Sequence, residues 1–229
     1  MNFSEFEKSI DVNFSDKALL KQAFTHRSYL NENRKTNLEH NERLEFLGDA
    51  VLELIVTDHL YEKYPTYNEG EMTSLRSALV NANTMAEAAN KIKMNNFMLL
   101  SRGEAKDTGR ARQYILANAI EALIGAIFID QGYRVAEKFV GENLFPLLPK
   151  IIKEGFWMDA KSRFQEKAQE IVGVTPSYET LKEIGPDHDK HFTLGVFLGK
   201  EKIAEGEGKS KQDAEQAAAR AGLQIKKWN

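Results

Sequence analysis

The chain of 229 residues contains no cysteine. That removes disulfides, thiolate nucleophiles and cysteine-based zinc sites. Its five histidines (His26, His40, His59, His188, His191) form no HExxH or comparable ligand pair, so an imidazole metal site has no sequence support. A charge excess is also missing, with 31 Lys+Arg against 34 Asp+Glu and a net charge of −3. Contact with nucleic acid therefore needs local patches rather than bulk charge. No apolar run free of charges is long enough to span a bilayer, and Met1 to Asp11 lacks the apolar core of a secretion signal. The expectation is a soluble cytoplasmic protein.

Two stretches are apolar nearly all the way round, Leu44–Val56 and Ile115–Ile129, and few polar residues interrupt them. Glu45 and Asp49 interrupt the first; Asn118 and Glu121 interrupt the second. Glu53 continues the first face by a turn and reads as salt-bridged or solvated. A helix apolar on every side is a buried helix, and an ionised carboxylate there is costly unless paired or holding a metal. Spacings of four and three place each pair on one helical face. Glu42, Glu45 and Asp49 fall within a stripe of about 60°, and Gly48 in the same turn lets another helix approach closely. If the faces meet, three carboxylates and an amide converge. Oxygen-only donors select Mg²⁺ or Mn²⁺ over zinc or copper, and such sites serve in-line phosphoryl displacement. The spacing reaches metal-assisted phosphoryl chemistry, with the substrate unspecified.

Up to about residue 152 the pattern is helical. Ser15 reads as the cap of a helix over 16–29, and 31–37 as a loop. The first apolar helix runs to about Lys63, before Pro65. Thr84 to Glu87 has capping-box spacing and predicts a helix start. Residues 101–113 read as an exposed loop, and a last helix covers 134–154. After Trp157 the pattern changes. A helix over 159–172, strands over 177–184, 191–198 and 202–206, and an Ala-rich helix over 210–224 predict a small α+β unit. The predicted architecture is an all-α domain, 1–153, followed by an α-β-β-β-α domain, 159–227.

NERLEFLGDAVL at 41–52 closely resembles the signature of bacterial ribonuclease III. AFTHRSY (23–29), EGEMTSLRSALVNANTMAE (69–87) and ILANAIEALIGAIFIDQG (115–132) fall in the order that family shows. The last unit resembles its double-stranded-RNA-binding domain. The resemblance implies an Mg²⁺-dependent endoribonuclease, with Mn²⁺ as a substitute, acting as a homodimer in which each subunit cuts one strand of duplex RNA. It implies 5′-phosphate and 3′-hydroxyl products with short 3′ overhangs, and substrates among ribosomal, messenger and small RNAs. It carries Glu45, Asp49, Asn118 and Glu121 over as the metal site, with Asp49 and Glu121 the most sensitive to loss. Glu42 either supports the site or makes an ordinary salt bridge to Arg43 or elsewhere. Phe46 matches a residue that plugs into the partner subunit, with core packing as its plainer reading.

For the last unit the resemblance implies RNA contacts at Gln165, His188, Lys209, Ser210 and Lys211. Duplex RNA hides its base edges, so shape, phosphates and 2′-hydroxyls are read. Gln212 stands where a second lysine usually follows, and residues 159–229 hold 12 Lys+Arg and 12 Asp+Glu. That neutrality predicts a shallow salt dependence. Asn118 is the one departure within the metal set, since the family pattern has Asp there. An amide oxygen still coordinates a cation or its water, yet one negative charge is gone. The leading expectation is therefore an active nuclease with weakened Mg²⁺ use. Its rival is a duplex-binding protein whose cleavage Asn118 impairs.

Overall fold

The computed structural model describes residues 2–154, 160–186 and 190–228. The chain divides into two compact units, Met1–Trp157 and Met158–Asn229.

The first unit is helical. Its elements are α1 (Ser4–Ser9), α2 (Lys17–Ala23), α3 (Arg27–Glu32), α4 (Glu42–Lys63), α5 (Glu69–Leu79), α6 (Ala82–Lys91), α7 (Arg102–Lys106), α8 (Arg110–Gln131), α9 (Tyr133–Asn143) and α10 (Leu148–Glu154). Short 3₁₀ turns precede α7 (Met94–Phe97) and α10 (Phe145–Leu147). The core is built round α8, whose residues Ile115 to Ile127 are buried except for Asn118 and Glu121. By length and composition α8 is apolar enough to cross a membrane. Here its apolar surface is covered by protein, with α4 as its main neighbour and α2, α6 and α9 round it.

Several expected boundaries are corrected. The helix expected over 16–29 breaks at Phe24–His26. There the backbone pairs sideways: Leu99 N–H donates to Phe24 O, His26 N–H to Leu99 O and Asn41 N–H to Thr25 O. Asp16, not Ser15, caps α2 by accepting from Ala18 N–H, while the Ser15 and Asp16 amides donate to the Asp130 carboxylate. Asn81 caps α6 and accepts from the Asn83 and Thr84 amides. The Thr84 hydroxyl turns back to Ala78 O, so it starts no helix. The capping box lies instead at Asn68 and Glu71. The segment 101–113 is partly helical, because the Arg112 guanidinium ties down Glu104 O and Asp107 O. The helix expected over 134–154 is interrupted at Leu144–Leu147, where Pro146 lacks the N–H that would continue the ladder.

The second unit runs α11 (Ala160–Val172), β1 (Ser177–Ile184), β2 (His191–Leu198), β3 (Glu201–Gly208) and α12 (Lys211–Lys226). The strands form an antiparallel sheet in the order β1-β2-β3. β1 and β2 match the expected spans, and β3 extends one residue earlier and two later. Gly199, at φ 62°, makes the turn between β2 and β3. Phe164, Val196, Ala204, Ala218 and Leu223 form the core between the helices and one sheet face. Gly206 and Gly208 let α12 lie on β3. A Cβ at Gly206 would stand 2.0 Å from Ala218 N, and one at Gly208 2.5 Å from Ala214 N.

Candidate active site

The site is positioned by two glycines. Where α4 crosses α8, Gly48 and Gly125 bring the backbones into contact. A Cβ on Gly48 would stand 1.8 Å from the Glu121 carbonyl oxygen, and one on Gly125 would stand 2.3 Å from the Leu44 carbonyl oxygen. No side chain other than hydrogen fits either place. The crossing sets Glu45 and Asp49, which flank Gly48 on α4, opposite Asn118 and Glu121 on α8. Gly125 was not singled out in the sequence, although it follows Glu121 by one turn much as Gly48 follows Glu45.

The acids act on one another electrostatically. Burial, then the charges of Asp49 and Glu45, push the Glu121 carboxyl from 4.5 up to about 8. Burial likewise raises Glu45, with Glu42 and Asp49 adding to the rise, while a hydrogen bond from the Asn118 amide opposes it. Glu45, Asn118 and Glu121 are half-buried and Asp49 is exposed, so solvent reaches the group. Among the described residues no three acidic or imidazole side chains stand close enough to enclose a bare ion. Mg²⁺ keeps several of its own waters and takes one or two carboxylates directly, so a looser oxygen set still suits it. The donors are all oxygen. Their mutual repulsion, visible at Glu121, is the imbalance a divalent cation removes.

Glu42 is exposed and pairs with Arg27 (3.4 Å) and His40 (3.8 Å), so its salt bridge runs to α3 and not to Arg43. Glu53 is exposed to solvent. Phe46 is 83% exposed, which excludes the core-packing reading. Leu54 is 58% exposed as well, so α4 is not buried on all sides as its apolar sequence suggested. Beside Phe46 lies an open cavity of about 600 Å³ lined by Leu19, Leu47 and Ile129 and by the charged Glu39, Glu42 and Arg43.

In the second unit Gln165 is exposed on α11. Lys209, Ser210 and Lys211 are exposed at the start of α12. The Ser210 hydroxyl accepts from Asp213 N–H and caps the helix. His188 lies outside the described residues.

Residues 16–148 match the Ribonuclease-III-like family model, and residues 160–226 match the double-stranded RNA binding motif. The chain belongs to the ribonuclease III family. It is 44% identical over 222 residues to Ribonuclease 3 of Borreliella burgdorferi, covering 96% of this chain and 89% of that one. Ribonuclease 3 of Geobacillus thermodenitrificans is 44% identical over 225 residues, covering 97% and 90%. Among solved structures, the nuclease domain of ribonuclease III from Campylobacter jejuni is 39% identical. It superposes with a TM-score of 0.56, covering 63% of this chain and 99% of that domain.

Proposed function

We propose that Glu45, Asp49, Asn118 and Glu121 hold Mg²⁺, or Mn²⁺ in its place, and that Asp49 and Glu121 are the residues cleavage tolerates losing least. The chain is a ribonuclease III-type endoribonuclease specific for double-stranded RNA. The observation that carries the metal reading is the glycine crossing, which sets two acid-bearing faces against each other and leaves Glu121 without a counter-charge. When bound, the cation supplies charge neutralisation at the phosphoryl group and an activated water. The protein's own part is positional. Gly48 and Gly125 fix the separation of the acids, the Asn118 amide holds the Glu45 carboxylate, and Glu42 supports the group from the rim through Arg27.

Residues 1–153 form the catalytic domain on this reading and 159–227 the duplex-binding domain. Gln165 reaches the minor groove, and His188 serves the loop contact. Lys209, Ser210 and Lys211 meet phosphates, where the first free N–H groups of α12 add their own attraction. The protein acts as a homodimer in the cytoplasm. Phe46 of one copy enters the cavity beside Phe46 of the other, since an exposed apolar knob adjoining a cavity is self-complementary about a two-fold axis. The products are 5′-phosphate and 3′-hydroxyl ends with short 3′ overhangs, made in ribosomal, messenger and small RNA processing.

The deciding experiment is cleavage of a long perfect RNA duplex with Mg²⁺ titrated, for this chain beside its Asn118→Asp form. Cleavage by both, with short 3′ overhangs, supports a working site with an amide donor. Cleavage by the Asp form alone, with equal binding by both, gives the chain to the rival reading of a silenced duplex binder.

A further inference from the structure

Away from the acids, α4 and α5 enclose a second cavity of about 230 Å³, lined by Thr57, Leu60, Tyr61, Glu69, Thr73 and Arg76. The Arg76 guanidinium is half-buried and donates to the Thr57 hydroxyl at 2.8 Å. Among the described residues no carboxylate forms an ion pair with it. A guanidinium held by a neutral hydroxyl, with donors to spare and a cavity in front of it, is arranged for an anion from outside. Its fork matches phosphate oxygens, and the Thr57 and Thr73 hydroxyls are further neutral donors at the same place.

Position makes this more than a spare cation. Thr57 follows Asp49 by eight residues on α4, which is ~12 Å along the axis and about 80° round it. At ~3.4 Å of rise per nucleotide, that is a few steps along a nucleic-acid strand from the acids. Glu69 stands seven residues before Arg76, ~10 Å away along α5. Its side chain lines the same cavity, where it is placed to accept from a ribose 2′-hydroxyl, the group that marks RNA.

We infer that Arg76, backed by Thr57 and Thr73, is a positioning residue that grips a backbone phosphate of the RNA strand a few nucleotides from the cut. The inference rests on the nuclease reading above. It adds to it a contact that the first unit makes independently of α11 and α12. Phosphate chemistry also admits a free nucleotide as the occupant, and the experiment separates the two.

The test is duplex-RNA binding by the full chain without Mg²⁺ across a salt series, for the wild type, Arg76→Ala and Arg76→Lys, followed by steady-state cleavage with Mg²⁺. Loss of one phosphate contact should flatten the slope of log affinity against log salt by about 0.7–0.9 in the alanine variant. Arg76→Lys keeps the charge, so it should keep the slope while losing part of the affinity with the fork. In cleavage the alanine defect should fall mainly on KM, with a five- to tenfold rise. An unchanged slope with a lowered melting temperature would make Arg76 structural and overturn the inference. Stabilisation of the wild type, but not of Arg76→Ala, by a nucleoside monophosphate at equal duplex affinity would also overturn it, by giving the cavity to a free ligand. A wild type that binds duplex RNA but cuts none, even with Asn118→Asp, would sink the nuclease reading and leave the binding slopes interpretable.

Discussion

Replacing Glu121 with glutamine should stabilise the metal-free protein at alkaline pH, although it removes a proposed cation ligand. The carboxyl is raised from 4.5 to about 8 by burial and by the charges of Asp49 and Glu45. The folded protein therefore holds a proton that the unfolded chain has already released. Stability is greatest below about 4.5 and falls as pH rises to about 8, after which this group adds no further loss. At roughly 1.4 kcal/mol per pH unit, the full span has a ceiling of about 5 kcal/mol. Glu121 is half-buried, so solvent screening brings the expected loss to about 2 kcal/mol. An amide does not titrate. Glu121→Gln should match the wild type near pH 5 and exceed it by about 2 kcal/mol at pH 8.5. Chemical unfolding of the first unit in chelator across pH 5–9 reads this directly. Mg²⁺ at pH 8 should then stabilise the wild type more than the glutamine variant, since only the wild type gains a partner for an uncompensated charge. Parallel stability curves for the two proteins between pH 5 and 9 would refute the reasoning, because Glu121 would then carry no strain for a cation to relieve.

Further outcomes are expected from the same arrangement. Asn118→Asp should raise cleavage at low Mg²⁺ by about 10–100-fold, the usual scale for a supporting ligand; equal Mg²⁺ titrations for both forms would show that the amide suffices. Gly48→Ala drives a methyl against the Glu121 backbone. It should cost about 1–3 kcal/mol by overpacking and raise the Mg²⁺ requirement of whatever cleavage remains; an unaltered Mg²⁺ midpoint would remove the crossing from the account of the site. Phe46→Glu should convert the proposed homodimer to monomers in sedimentation, and an unchanged sedimentation coefficient would leave Phe46 without the proposed role. Lys209→Ala should weaken duplex binding alike for all sequences and flatten the salt slope, whereas an unchanged slope would strike Lys209 from the contacts.

The fold was legible wherever a local signal had no tertiary competitor. β1 and β2 ended where alternation and the flanking turn residues placed them, and α4 stopped after Lys63, just before Pro65. Boundaries failed where long-range bonds decided them. The helix expected over 16–29 broke because Phe24 and His26 pair with Leu99, and nothing in 16–29 itself announces Leu99. The capping box expected at Thr84 lost to Asn81, whose side chain starts the helix three residues earlier by accepting from the Asn83 and Thr84 amides while the Thr84 hydroxyl turns back to Ala78 O. At the site, spacing put each acid pair on one face, and the crossing then brought the faces together. That the crossing needs a second glycine was readable only once α8 lay against α4. Arg76 stayed invisible for the same reason. A cation seven residues after a glutamate on an amphipathic helix reads as a solvated face until the neighbouring helix supplies Thr57 and the cavity.

The apolar sequence of α4 misled in an instructive way. Phe46 and Leu54 made the helix look buried all round, yet they face outward while Leu44, Val51, Leu52 and Ile55 face in. A helix with two apolar faces and an acidic stripe between them has one surface too many for a solitary subunit. Phe46 directly follows Glu45, about 100° round the helix, so the turn of α4 that carries the proposed dimer contact also carries Glu45. On the proposed reading, pairing of copies and placement of the cation are then one equilibrium. Dilution below the dimer dissociation constant should raise the Mg²⁺ needed for half-maximal cleavage, and Phe46→Glu should do so at every concentration. An Mg²⁺ midpoint independent of both would separate the two functions of α4 and leave Phe46 to assembly alone.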